Sequence, residues 1–343
     1  MKLDPDRSDL SPALVALTGG ALVVPSGPGT APAAPSTDEE AGGRPALERH
    51  TRWSDFSELA KLRLNFLVMV TTVVGYALAK PDWSDWRLLV HALLGTALTA
   101  TGASILNQVI ERRHDALMNR TKRRPLPGGR VRVGDALALG LGTGAVGVAE
   151  LYYFVNPLTA LIGAITLGTY VLIYTPLKRV TTLNTVVGAI PGALPPVMGV
   201  AAAAGHGLVY GQTFLGVQPI GWALFGILFF WQMPHFLAIA ILYREDYARG
   251  GFVMLPVVDE DLVATSRQML FYALALIPVT LVPTLLGATG LLYFLAALAM
   301  GLAFLGFAVV CVMTRRRGDA RQVFLASILY LPCLLAAMMM DRM

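Results

Sequence analysis

Leu88-Leu89-Val90-His91-Ala92-Leu93-Leu94-Gly95-Thr96-Ala97-Leu98-Thr99-Ala100-Thr101-Gly102-Ala103-Ser104-Ile105-Leu106-Asn107-Gln108-Val109-Ile110 contains no Asp, Glu, Lys or Arg, and it runs straight into Glu111-Arg112-Arg113-His114-Asp115. About 20 apolar residues cross the roughly 30 Å hydrocarbon layer of a bilayer. This run has that length. In lipid, backbone N–H and C=O groups must be satisfied within the segment, so the run is a helix. It delivers a charged sequence to one membrane surface.

Eight further runs have the same character: Leu62–Ala79, Val133–Phe154, Pro157–Thr175, Asn184–Ala204, Gly221–Leu242, Gln268–Gly287, Leu291–Met313 and Val323–Met340. Val155-Asn156-Pro157 makes a tight hairpin between two of them. The ten-residue alternating segments of a membrane barrel are absent from the sequence. The whole chain agrees: of 343 residues, 55% are hydrophobic and 14% charged, with a mean hydropathy of +0.60. A soluble domain carries about 25% charged residues. We therefore expect an all-α integral membrane protein of nine transmembrane helices over residues 51–343. Residues 1–50, rich in Pro, Ala, Gly and Ser and containing Asp4, Asp6 and Asp9, match neither a signal nor a transit peptide. They read as a disordered cytoplasmic tail.

The basic residues orient this bundle. With nine helices and the N-terminus inside, all but Lys80, Arg87 and Arg342 of the 27 Lys and Arg residues fall on the inner side. That is the positive-inside pattern, with the C-terminus outside. The net charge of +5 is thus juxtamembrane charge, and nucleic acid is not an expected partner. Cys311 and Cys333 lie in apolar runs without metal-ligand spacing.

Chemistry concentrates after the opening run. Asn107, Glu111 and Asp115 are four residues apart, so on a helix they share one face. Mg²⁺ takes hard oxygen ligands, usually one or two carboxylates with water and substrate phosphate. Arg120, Lys122, Arg123 and Arg124 follow and offer charge-assisted donors to phosphate. An acid face beside a basic cluster suits a diphosphate–Mg²⁺ complex. A solvated charged loop with i,i+4 pairs is the plainer account of the same residues.

The pattern N-x3-E-x3-D-x2-M-x-R-T-x2-R-P-L over 107–126 resembles the first acidic motif of the UbiA-type intramembrane prenyltransferases. Many members carry Asp where this chain has Glu111. A second block, Tyr174-Thr175-Pro176-Leu177-Lys178-Arg179 with Asn184, Gly188 and Pro191-Gly192-Ala193, resembles one subgroup of that family, the haem O synthases. A third, Trp231-Gln232-Met233-Pro234-His235-Phe236 with Tyr243-Arg244-Glu245-Asp246-Tyr247, does so more strongly. Packing and interface anchoring are the alternative account of the second block. For His235 the alternative is a structural bond to a neighbouring helix.

The resemblance spans roughly residues 50–340 and implies a bundle around a central cavity. It implies transfer of a farnesyl group from farnesyl diphosphate to a vinyl group of haem b, giving haem O and diphosphate, in haem A biosynthesis at the plasma membrane. It assigns Asn107, Glu111, Asp115, Arg120, Lys122 and Arg124 to catalysis, and Asn107, Glu111, Asp115 and Asp246 to Mg²⁺ or another divalent cation. Thr121, Tyr174, Lys178, Arg179, His235, Tyr243 and Asp246 are the expected substrate contacts. If the helix bearing His235 continues unbroken to Asp246, His235 lies about 16 Å deeper. A haem A synthase or an oxidase assembly factor is a candidate partner. A UbiA-type enzyme acting on a quinone precursor or chlorophyllide, and a secondary transporter, are the competing readings. His50, His91 and His206 receive no role, and Arg315-Arg316-Arg317 reads as a topology anchor or an anionic-lipid contact.

Overall fold

A computed structural model describes residues 52–80, 85–205 and 213–343. The expected tail, His50 and His206 lie outside the described residues. A short helix α1 (Arg52–Leu59) precedes α2 (Leu62–Ala79), α3 (Trp86–Asp115), α4 (Val133–Phe154), α5 (Pro157–Leu177), α6 (Asn184–Ala203) and α7 (Pro219–Leu242). Two short helices, α8 (Arg244–Arg249) and α9 (Leu255–Val258), lead to α10 (Val263–Leu285), α11 (Leu291–Thr314) and α12 (Arg317–Met340). Nine of these described helices are long and apolar enough to cross a membrane, and they coincide with the nine expected spans. The chain is a multi-pass membrane protein. Its outward side chains, such as Leu172, Leu285, Leu291 and Leu329, are exposed apolar groups suited to lipid.

Local sequence sets the helix ends. Asp85 caps α3 by accepting from the Leu88 N–H at 3.2 Å. Asn156 caps α5 by accepting from Thr159 N–H at 2.7 Å, with Pro157 in the first turn. The same Asn156 donates its Nδ2 to the Ala201 carbonyl at 2.9 Å and so fixes the hairpin against α6.

Lipid offers no hydrophobic drive between helices, so small residues let backbones approach closely. On α3, a Cβ at Gly102 would stand 2.7 Å from the Gly144 nitrogen of α4. On α6, a Cβ at Gly199 would run into the Thr72 carbonyl of α2. These contacts bind α2, α3, α4 and α6 into one half of the bundle, and α7 packs on α6, α10 and α12 to add the other.

Near the charged end, α3 stays helical through Asp115, so Asn107, Glu111 and Asp115 ride on one rigid element, as their i,i+4 spacing leads one to expect. One detail differs: the helix bearing His235 ends at Leu242, and Tyr243 (φ −113, ψ 25) turns the chain before α8. The unbroken-helix depth for His235 relative to Asp246 therefore does not apply. Within α5, Thr169–Tyr174 widen into a π-helical stretch, a local form frequent at functional sites.

Candidate active site

The three spaced residues of α3 are buried together: Asn107 is 1% exposed, Glu111 5% and Asp115 1%. Each meets a polar partner from a different element. Asn107 Nδ2 donates to Thr175 Oγ1 at 3.0 Å, and Thr175 Oγ1 donates in turn to the Tyr170 carbonyl, which the π stretch brings within 2.8 Å. This fixes the amide, so Asn107 Oδ1 faces the Lys61 ammonium at 3.2 Å. Lys178 Nζ stands 2.7 Å from Glu111 Oε1 and 4.5 Å from the centre of the Tyr174 ring. Arg124 Nη1 donates to Asp115 Oδ2 at 2.9 Å, and Thr121 Oγ1 donates to the Asp115 backbone carbonyl at 2.9 Å.

Sequence reasoning missed Lys61. It caps α2 in a left-handed conformation (φ 49), an outlier for a residue with a Cβ, and the Ala60 before it is fully buried. Burial, and then the neighbouring Arg124 and Lys178 cations, pull its ammonium from 10.5 down to about 7. The Lys178 ammonium moves the other way: burial opposes its charge, but Glu111, Tyr174 and Tyr170 outweigh burial and raise it. The one available signal for Lys61 was a lysine just before the first membrane run. Tyr170 was visible only as a member of an apolar helix, and Thr175 only as part of the Tyr174–Arg179 block, with no role of its own.

The basic run divides. Arg124 reaches α3, whereas Arg120 lies over the Tyr243 ring at 4.7 Å and Lys122 donates to Asn119 Oδ1 at 3.0 Å on the exposed side. Asp246 belongs to this second group: its Oδ1 accepts from the Asn119 N–H at 3.0 Å and pairs with Arg249. Burial works against the ionised Asp246, but Arg249 and the Asn119 and Arg120 N–H groups hold its carboxyl below the usual range. Among the described residues, no three carboxylate, histidine or cysteine side chains gather closely enough to hold a metal ion. Asp246 therefore does not join Glu111 and Asp115 in such a cluster. His114 links the two groups: its Nδ1 lies 2.8 Å from the Gly250 carbonyl, and its Nε2 lies 3.3 Å from Arg179.

The donor set on α3 suits a hard divalent cation. Asp115 Oδ1 is buried with no hydrogen-bond partner in the described structure, and Asn107 Oδ1 keeps a second lone pair beside its bond to Lys61. Two carboxylates with substrate phosphate are an ordinary Mg²⁺ environment.

Inward from these charges lies an apolar cavity of about 280 Å³. Its walls include Leu64 and Val68 of α2, Ala100 and Ala103 of α3, Tyr170 and Tyr174 of α5, and Trp231 and His235 of α7. The His235 ring stacks on Trp231, with ring centres 5.0 Å apart, and lies 5.2 Å from Phe324 of α12. Its Nδ1 is 2.7 Å from Ser327 Oγ, and that hydroxyl donates to the Phe324 carbonyl at 2.6 Å. A serine hydroxyl has one proton. Since Ser327 gives it to Phe324, Nδ1 carries the hydrogen of a neutral His235 and Nε2 keeps its lone pair. A structural bond to a neighbouring helix is thus present at His235, and it coexists with a place on the cavity wall.

The chain matches the family model described as "UbiA prenyltransferase family" over residues 68–331. It is 47% identical over 297 residues to a protoheme IX farnesyltransferase of Solibacter usitatus (strain Ellin6076), covering 84% of this chain and 98% of that one. To the protoheme IX farnesyltransferase of Salinibacter ruber (strain DSM 13855 / M31) it is 43% identical over 287 residues, with the same two coverages of 84% and 98%. The fold also resembles a digeranylgeranylglyceryl phosphate synthase, with a TM-score of 0.70 at 13% identity over 84% of this chain and 98% of that one. A UbiA homolog from Archaeoglobus fulgidus bound to GPP and Mg²⁺ has a TM-score of 0.58 at 15% identity, over 83% of this chain and 99% of the other.

Proposed function

Because this chain belongs to the UbiA prenyltransferase family, we propose that it transfers a farnesyl group from farnesyl diphosphate to a vinyl group of haem b, giving haem O and diphosphate. One observation carries the reaction type. Buried carboxylates and cations stand next to an apolar cavity, joined to it by the Tyr174 ring that lines the cavity and lies 4.5 Å from Lys178, so a diphosphate and its hydrocarbon chain each meet a matching surface. The acceptor follows the relatives named above, which this chain matches along nearly their whole length.

The hard step is heterolysis of the allylic C–O bond. Both electrons leave with diphosphate, so positive groups at the leaving oxygen lower the barrier. Lys61, Lys178 and Arg124 supply that charge, and two of them are held in place by Glu111 and Asp115. Asn107, Glu111 and Asp115 would hold a divalent cation, which neutralises charge on the departing diphosphate. The vinyl π pair then attacks the allylic carbon to form the new C–C bond. Water adds to the resulting cation next to the porphyrin and loses a proton, leaving the hydroxyl of haem O. The apolar walls keep other water from the allylic cation before that bond forms. His235 presents its Nε2 lone pair as an axial ligand or a polar contact for the haem.

The test is to express the full chain in membranes supplied with haem b and farnesyl diphosphate and to weigh the extracted haem. A mass gain equal to one farnesyl group plus one hydroxyl group supports the assignment. Unmodified haem in membranes that contain the folded protein would refute it.

A further inference from the structure

At the same charged end of the bundle, a second pocket of about 450 Å³ opens between α8 and the turn joining α11 to α12. Arg244, Arg249, Arg315 and Arg317 line it, against the carboxylates of Glu245 and Asp246. Asp246 is already paired with Arg249. Among the described residues, Arg244, Arg315 and Arg317 make no ion pair. Arg317 instead donates to the Leu242 carbonyl at 2.8 Å and Arg244 to the Glu260 carbonyl at 3.1 Å. The pocket therefore carries surplus positive charge.

Its other wall is apolar, made by Ile241, Leu242 and Leu262. Two lining residues, Leu262 (φ 56) and Arg315 (φ 53), hold the left-handed backbone that side chains with a Cβ rarely adopt. Such conformations persist where surroundings fix them, and they cluster at binding sites. At the turn, Arg315 is left-handed and Arg316 extended, so Arg315 and Arg317 face the pocket while Arg316 between them does not line it. The triple-arginine run is thus a selective pair with an outward neighbour.

We propose that this pocket binds the phosphate headgroup of an anionic phospholipid. It sits where α7 and α11 end and α12 begins, which is the level of lipid headgroups for these membrane-spanning helices. Basic pockets between transmembrane helices suit such headgroups. Guanidinium forks match phosphate oxygens in pairs. The apolar wall and the neighbouring Met313, 78% exposed, offer a path for glycerol and the first acyl carbons. A free anion has no use for either.

The experiment uses the full chain in nanodiscs of phosphatidylcholine with a minor fraction of phosphatidylglycerol. Lipid retained on transfer to detergent is counted by native mass spectrometry. Wild-type protein should keep phosphatidylglycerol in preference to phosphatidylcholine. Arg315→Gln should cut that retention about fivefold, and Arg315→Gln with Arg317→Gln more, since each arginine near a lipid surface contributes about that factor. Arg316→Gln should leave it unchanged. Arg317 also ties α7, so Arg315→Gln alone decides the matter if the double variant does not fold. Equal loss from Arg316→Gln would mean diffuse surface attraction and overturn the proposal, as would no preference in wild type. In a further arm, soluble inorganic phosphate is added at the same concentration as phosphatidylglycerol. If it displaces the lipid, the pocket takes a free anion and the headgroup assignment is wrong.

Discussion

At the scale of single residues, the site is a set of opposed charges, each restrained by another. Asp115, 1% exposed with its Oδ1 free of hydrogen bonds, is the carboxylate best placed to hold a divalent cation. Removing one electrostatic group of this kind typically costs about 10²–10³ in rate. Asp115→Ala should therefore lower haem O formation by about that factor while the protein still inserts, as measured by product mass and by yield of folded protein. Wild-type activity would remove Asp115 from the site. The Lys178–Glu111 pair allows a sharper separation of stability from chemistry. Breaking a buried pair by removing one partner costs about 3–5 kcal/mol, because the other charge is left uncompensated. Lys178→Met should lower both thermal stability and activity. Adding Glu111→Gln should restore the stability but not the activity. If stability returns together with activity, the pair is structural only. At His235, with Nδ1 committed to Ser327, alanine should change the haem absorption spectrum and weaken haem binding while farnesyl diphosphate still binds. An unchanged spectrum with normal product would move the acceptor pocket elsewhere on the cavity wall.

Among the elements, α3 and α4 depend on contact between backbones. Gly102→Leu would drive a side chain into the Gly144 backbone, which a Cβ already approaches to 2.7 Å. Overpacking typically costs about 1–3 kcal/mol or more. We expect a fall in folded yield and in activity together, read by size-exclusion profile; an undisturbed profile with full activity would contradict the close packing. The helices themselves were legible in the sequence, because length and hydropathy alone dictate a spanning helix. The acid face of α3 was legible too, because i,i+4 spacing needs only one regular element. The rest of the site was not. Lys61 reaches Asn107 only through a left-handed turn, and Tyr170 and Thr175 only through a π stretch; neither leaves a periodic signal. The basic run over 120–124 looked like one phosphate clamp, but the loop folds back and sends Arg120 and Lys122 away from Arg124. Asp246 was read as lying on the same inner side as the α3 carboxylates, and the turn at Tyr243 sets its carboxylate against the Asn119 N–H and Arg249.

For the whole molecule, polarity organises function. Charged side chains gather at one end of the bundle, next to an apolar cavity, so a substrate with a charged head and a long apolar tail has one sensible orientation. The Lys and Arg distribution predicts that this end faces the cytoplasm. A reporter fused after Met343 should then be active outside, and one inserted in the loop over 116–132 inside; the reverse pattern would invert the assignment. One coupling is central to this function: allylic ionisation at the α3 charges feeds carbon–carbon bond formation in the cavity behind them. Single-turnover assay of purified protein with haem b, farnesyl diphosphate and Mg²⁺ measures it directly, by counting diphosphate released and haem O formed in the same sample. We predict equal amounts of both, each abolished by a metal chelator. Diphosphate released without haem O, or haem O formed at full rate with the chelator present, would contradict it.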